Sequence, residues 1–214
     1  MLHEETVSPS TLGILKTLMQ DEKLNDFVLV EGTALSLRIG HRISIDLDFF
    51  SKKGFNQAQL QEHLPGEYNF TADYIERNTL KGNAQGVALD FISHKYNEVD
   101  EVTVIEGVRL ASLKDIAAMK LNAIINNGTR LKDFLDVVFL GEIVPFAEMQ
   151  KAYGEKYNTS PVMAAKAVLY HEDIDHTVDI NLLNQKYNFK EIAKSLETLV
   201  NLPNETHHMI STKN

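Results

Sequence analysis

Two acidic residues separated by one position, Asp46 and Asp48, are the side chains of this sequence whose type and spacing point most directly to chemistry. In an extended strand, residues two apart share a face and lie about 6.5 Å from each other along it. The run Ile43-Ser44-Ile45-Asp46-Leu47-Asp48-Phe49-Phe50 alternates with that period, which predicts Ile45, Leu47 and Phe49 in a core and both carboxylates on the opposite face. Two such charges repel unless something neutralises them, and a divalent metal with oxygen ligands does so most directly. The competing reading is a solvated edge strand whose charges block aggregation.

What precedes the pair suits an anion. Residues 27–30 read as a short buried strand, Gly32-Thr33 as a turn, and residues 33–39 as a short helix ending at Gly40-His41-Arg42. A glycine at a strand end lets backbone amides approach a phosphate, and the helix that follows offers unpaired amide donors. Arg38, His41 and Arg42 form a basic cluster that either a triphosphate or plain solvent exposure explains. Further on, Asp90 is the one charge in the apolar run of residues 86–92. It is a third acidic ligand if its strand lies beside that of Asp46 and Asp48, and otherwise a residue of the wet face.

The elements that must position these residues fall into two parts. Residues 9–21 read as a packing helix capped by Ser8, residues 56–64 as a helix closed by Pro65-Gly66, and residues 68–76 as a strand. Residues 78–86 read as a polar connection, and residues 102–108 as a last short strand or hairpin. Beyond Leu110 the period becomes helical. Ser112-x-x-Asp115 is a capping box that starts a helix running to Asn126 with Leu113, Ile116, Ala117, Leu121 and Ile124 inward. Lys120 falls in that stripe, where it either snorkels to water or projects to meet a phosphate; on both views Lys120→Met is expected to preserve stability. Helices at residues 130–140, 146–153, 162–169 and 189–200 follow, with Arg130 and Asp133 read as a surface ion pair and the charged run from Arg130 to Asp136 as a substrate-facing edge. The expected organisation is a sheet domain over residues 1–110 and a helical lobe over residues 111–214, in an α+β fold.

Composition limits the function. The chain has 214 residues, 43% of them hydrophobic, and 21 basic against 30 acidic side chains, a formal charge of -9 that disfavours general attraction to DNA or membrane. Absence of cysteine removes thiolate chemistry and thiolate ligands. No apolar signal core or spanning segment is present, so a cytoplasmic protein without membrane contact is expected. His171 and His176 are five apart, off the spacing of a helical zinc pair, and read as loop residues.

With these residues in place, the chain resembles the AbiEii/AbiGii toxin family of the DNA polymerase beta-like nucleotidyltransferase superfamily. Val30 to Leu35 and Gly40 to Phe50 are similar to its first motif, Leu89-Asp90-Phe91 to its third-carboxylate strand, residues 113–120 to its lysine-bearing helix, and Arg130-x-Lys132-Asp133-x-x-Asp136 to its last charged motif. The resemblance implies a mixed β-sheet with flanking helices and a C-terminal helical lobe. It also implies magnesium, or manganese in its place, held by Asp46, Asp48 and Asp90, with Asp90 assisting the acceptor hydroxyl. Gly32 and Thr33 would border a nucleoside triphosphate, with Arg42, Ser44 and Lys120 binding it; Lys120 and Asp133 complete the implied catalytic set. The implied activity is two-metal transfer of a nucleotidyl group to an RNA, tRNA or protein hydroxyl, by a toxin with a cognate antitoxin protein. One departure stands out: Glu31 occupies the first position of the family's usual double glycine, where it either repels the phosphates or turns away.

Two other functions fit the same residues. Clustered aspartates serve a metal-dependent phosphohydrolase equally well, since they do not distinguish water from an alcohol as nucleophile. A non-catalytic nucleotide-binding or protein-interaction module is the reading that Glu31 favours.

Overall fold

The computed structural model describes residues 1–183 and 186–208, and the chain divides into two compact units. The first comprises Met1–Tyr96 and Glu101–Ala111, the second Asn97–Asp100 and the residues from Ser112 onward. The architecture is α+β.

In the first unit, α1 (Pro9–Gln20) starts where Ser8 accepts a hydrogen bond from the Thr11 amide, with proline tolerated in the opening turn. It leads to β1 (Phe27–Leu29), α2 (Glu31–Ile39), β2 (Leu47–Ser51), α3 (Gln57–Tyr68), β3 (Phe70–Glu76), β4 (Thr79–Ala84), β5 (Val87–Ser93), β6 (Thr103–Ile105) and β7 (Val108–Leu110). The strands form one mixed sheet in the order β3-β4-β5-β2-β1-β7-β6. β2–β5 and β1–β7 are parallel, and the other neighbours antiparallel.

Alternation sorts the central strands into two faces. Leu47 and Phe49 of β2 and Leu89 and Phe91 of β5 are fully or nearly fully buried. Phe91 stacks on Phe49 at 5.2 Å and meets Phe27 edge-on at 5.3 Å. Each such pair adds about 1 kcal/mol to the burial of its rings. This aromatic core fixes the register that sets Asp48 beside Asp90 on the other face.

Three expectations change. The strand begins at Leu47, and Ile45 is 67% exposed, because the preceding chain is held by other bonds: the Ser44 amide donates to the Thr6 carbonyl at 2.8 Å. Helix α3 does not close at Pro65 but runs through it to Tyr68 and stops at Asn69, whose φ is 55°. Its last turn is anchored, since the Tyr68 hydroxyl donates to Asp21 Oδ2 at 2.8 Å and His63 Nε2 lies 2.6 Å from the same oxygen. The supposed connection at residues 78–86 is instead mostly strand β4, joined to β5 by Gln85 and Gly86, which have φ values of 53° and 86°. Two consecutive left-handed residues make the tight turn whose twist matches a hairpin.

The second unit is helical: α4 (Leu113–Asn126), α5 (Leu131–Leu140), α6 (Phe146–Tyr157), α7 (Val162–Val168) and α8 (Phe189–Asn201). The expected cap is present, Ser112 accepting from the Asp115 amide at 3.0 Å. Helix α4 packs against α5, α6 and α7, and α5 against α8. Asp115 does more than cap: it accepts from the amides of Val99 and Asp100 and pairs with the buried Lys156 ammonium at 2.7 Å. Lys156 also donates to the Asn97 carbonyl, so these two residues draw Asn97–Asp100 into the helical unit. Among the described residues no helix is long and apolar enough to cross a membrane.

Candidate nucleotide site

The local geometry around α2 starts from backbone conformation. Glu31, its first residue, has a φ of 58°, a left-handed value that residues with a side chain adopt at a cost of about 1 kcal/mol or more. The backbone thus keeps a conformation suited to glycine although the residue is glutamate. Its carboxylate sits in the first turn, where the helix dipole favours negative charge. Gly40 ends the helix at a φ of 69°, with the His3 ring packed so close that a β-carbon would lie 2.5 Å from Nδ1.

Gly32 is required for a different reason. A β-carbon there would lie 2.3 Å from Arg42 Nη2, so the guanidinium occupies the space a side chain would take. Arg42 Nη1 donates to the Ile43 carbonyl at 3.1 Å and to Ser44 Oγ at 3.4 Å. The Thr33 hydroxyl reaches Ser44 Oγ at 2.8 Å and the Asp46 carbonyl. Gly32, Thr33, Arg42 and Ser44 are therefore together, and their mutual bonds fold the segment that leads to Asp46. The basic cluster is not solvent-facing charge. His41 and Arg42 are buried, and Arg38 donates to the Ala111 carbonyl at 2.9 Å while burial pushes its pKa down.

Asp48 and Asp90 are direct partners across the parallel β2–β5 ladder, and neighbouring strands lie about 4.8 Å apart. Lys81 is the partner of Asp90 on the other side, across β4–β5, and its ammonium bonds Asp90 Oδ2. A row Lys81–Asp90–Asp48 thus crosses three strands on the face opposite the aromatic core. Sequence reading missed Lys81 because its strand was taken for a connection.

Among the described residues, no group of three or more histidine or carboxylate side chains converges as a metal cluster. With Asp90 engaged by Lys81, the set does not fit a three-carboxylate cradle. Asp46 lies just ahead of β2 and Asp48 within it.

The remaining predicted residues lie within the helical unit. Lys120 neither snorkels nor stands open: its side chain is 1% exposed, with the ammonium 2.8 Å from Asp133 Oδ1 and 3.1 Å from Asp136 Oδ2. Arg130 Nε approaches Asp133 Oδ2 at 2.9 Å, and since Asp133 is fully buried this is not a surface pair. The stripe of α4 passes through Lys120 because α5 presents carboxylates to it. His171 and His176 pack edge-on against Phe189 at 5.3 Å and 4.6 Å.

Fold and site together define a nucleotidyltransferase-like protein. A structure from H. pylori described as a nucleotidyltransferase superposes with a TM-score of 0.54 at 22% identity, over 91% of this chain and 95% of that one. JHP933 from Helicobacter pylori gives a TM-score of 0.54 at 21% identity, over 92% of each chain. At those identities the likeness is one of fold. An uncharacterized protein of Aquifex aeolicus (strain VF5) is 34% identical over 156 residues, 70% of this chain and 75% of that one. The family model for the nucleotidyl transferase AbiEii toxin, type IV TA system, matches residues 13–94, the stretch that holds Gly32, Asp46, Asp48 and Asp90. The chain belongs to the AbiEii nucleotidyl transferase toxin family.

Proposed function

We propose that this protein transfers a nucleotidyl group from a nucleoside triphosphate to a hydroxyl of RNA, with a tRNA end as the leading acceptor, and acts as the toxin of a toxin–antitoxin pair. The observation that carries this reading is the close set of Gly32 and Arg42 at the start of α2, one short loop from Asp46 and Asp48. A helix start with a glycine in its first turn receives phosphate oxygens on backbone amides. Thr33 and Ser44 hold the loop in shape, so these amides need no rearrangement when the triphosphate arrives.

In the reaction, the acceptor oxygen loses its proton and bonds to the α-phosphorus as the bond to pyrophosphate breaks. Asp46 and Asp48 would hold magnesium, which, when bound, neutralises charge on the phosphates. Their own part is to orient that charge from a strand end braced by the Phe49–Phe91 core. Lys120 and Asp133 balance one another's charge within the helical unit.

Incubation of the protein with magnesium, α-labelled triphosphates and a tRNA pool tests the reading. Label in tRNA with release of pyrophosphate, lost in Asp46→Asn and Asp48→Asn, is the expected result. Label recovered only as free nucleotide makes the protein a hydrolase, and retained transfer in either variant removes the metal role.

A further inference from the structure

We infer that the aromatic stack of Phe50, His94 and Tyr96 receives an unpaired base at the end of the RNA acceptor, with Lys52 and Lys95 beside it for the adjoining phosphates. This placement rests on the nucleotidyl-transfer reading and locates the acceptor within that site. Phe50 follows Asp48 by two residues on β2 and so shares its face, opposite the Phe49–Phe91 core. His94, the first residue past β5, stays tied to β2 through its amide, which donates to the Ser51 carbonyl at 2.8 Å. Its ring stacks on Phe50 with centroids 4.6 Å apart and planes 23° from parallel. Tyr96 extends the stack, its ring 4.7 Å from that of His94, and it is 48% exposed.

The position of the stack suits the acceptor rather than the triphosphate. Helix α2 starts beside Asp48, whose carbonyl accepts from the Val30 amide at 2.9 Å. Phe50 is the register partner of Val28 and lies about 6.5 Å farther from that helix start. With the pyrophosphate leaving toward the amides of α2, an in-line displacement brings the attacking oxygen from the opposite side, which is the Phe50 end of the strand. An unpaired base has an apolar face, and a half-exposed ring at the end of a stack offers it the next layer whatever its identity. The charge agrees. Lys52 and Lys95 directly follow Ser51 and His94, which are bonded to each other, and both lysines are exposed. A local basic pair suits phosphates on a chain whose formal charge is -9.

Anisotropy of a labelled short single-stranded RNA with the full chain, beside calorimetry with a nucleoside triphosphate, tests this. Tyr96→Ala and His94→Ala should each weaken RNA binding about tenfold, within the range for one lost base stack, and leave triphosphate affinity unchanged. Tyr96→Phe, which keeps the ring, should bind RNA as the parent does, whereas Tyr96→Leu, which keeps only apolar area, should not. Lys95→Gln should lower the slope of log affinity against log salt by about 0.7, the share of one phosphate contact on a single strand. RNA binding equal to the parent in both alanine variants overturns the stack assignment, and label transfer to tRNA by the parent then leaves the transfer reading standing. A loss of triphosphate affinity in place of RNA affinity gives the stack to the nucleotide's own base and overturns the acceptor assignment. Absence of RNA binding by the parent overturns it as well, and absence of label transfer besides removes the transfer reading.

Discussion

The guanidinium of Arg42 fills the space beside Gly32, with Nη2 2.3 Å from where a β-carbon on Gly32 would stand. Glycine is needed here for close approach and not for unusual dihedral angles, which belong to Glu31 next to it. Two neighbouring positions of one family motif therefore answer to different physical constraints.

Gly32→Ala should displace Arg42, whose buried head is held by Ile43 and Ser44. The expected outcome is a loss of about 1 to 2 kcal/mol, the usual range for overpacking, with triphosphate affinity down at least tenfold. Thermal unfolding beside calorimetry with magnesium-nucleotide measures both; unchanged affinity would separate this glycine from the nucleotide.

Glu31→Gly should stabilise the protein. At the φ of 58° the gain is about 1 kcal/mol, because glycine takes the conformation without strain. Removing the carboxylate from the first turn of α2 should also tighten triphosphate binding. A lower unfolding midpoint in the variant would contradict the strain argument.

Lys120→Met should destabilise, contrary to what its place in an apolar stripe suggested. It leaves Asp136 and Asp133 buried without the ammonium that bonds both, and breaking a buried pair from one side costs about 3 to 5 kcal/mol. Denaturant unfolding gives the figure. Adding Asp136→Asn should recover part of the loss, since one of the two carboxylates that the ammonium had bonded is then neutral.

Acid should act through Asp115. Burial alone would raise its pKa, but the Lys156 ammonium, the Ser112 hydroxyl and the Val99 amide together hold it below the ordinary carboxylate value. A depressed folded value means that the contribution is complete above the unfolded pKa of about 3.9 and is lost as pH falls through the folded one. Stability measured from about pH 7 down to pH 2 should therefore drop below about pH 4. In Asp115→Asn that limb should flatten while neutral stability falls, because the buried Lys156 loses its counter-ion. The limb should not vanish, since Asp21 is also held low: burial opposes it, but His63, Tyr68 and the Lys23 amide outweigh that.

What the sequence determined by itself is whatever depends on near neighbours along the chain. The Ser112–Asp115 cap, the end of the helix at Gly40 and the inward faces of Leu47 and Phe49 are all legible from spacing, because caps and alternation act within a few residues. Tertiary structure decided what each charge meets. Asp90 could be recognised as a carboxylate needing a partner, but that the partner is Lys81 follows from which strand lies beside β5 and in which register. Lys120 looked like a misplaced charge in a stripe until α5 brought Asp133 and Asp136 to it. Ile45 continued the alternation in sequence yet lies outside, because bonds from Thr6 and Thr33 fix the chain on either side of it before the strand begins. Periodicity reports which face a residue takes, whereas the partner of a buried charge is set by non-local packing that no local pattern encodes.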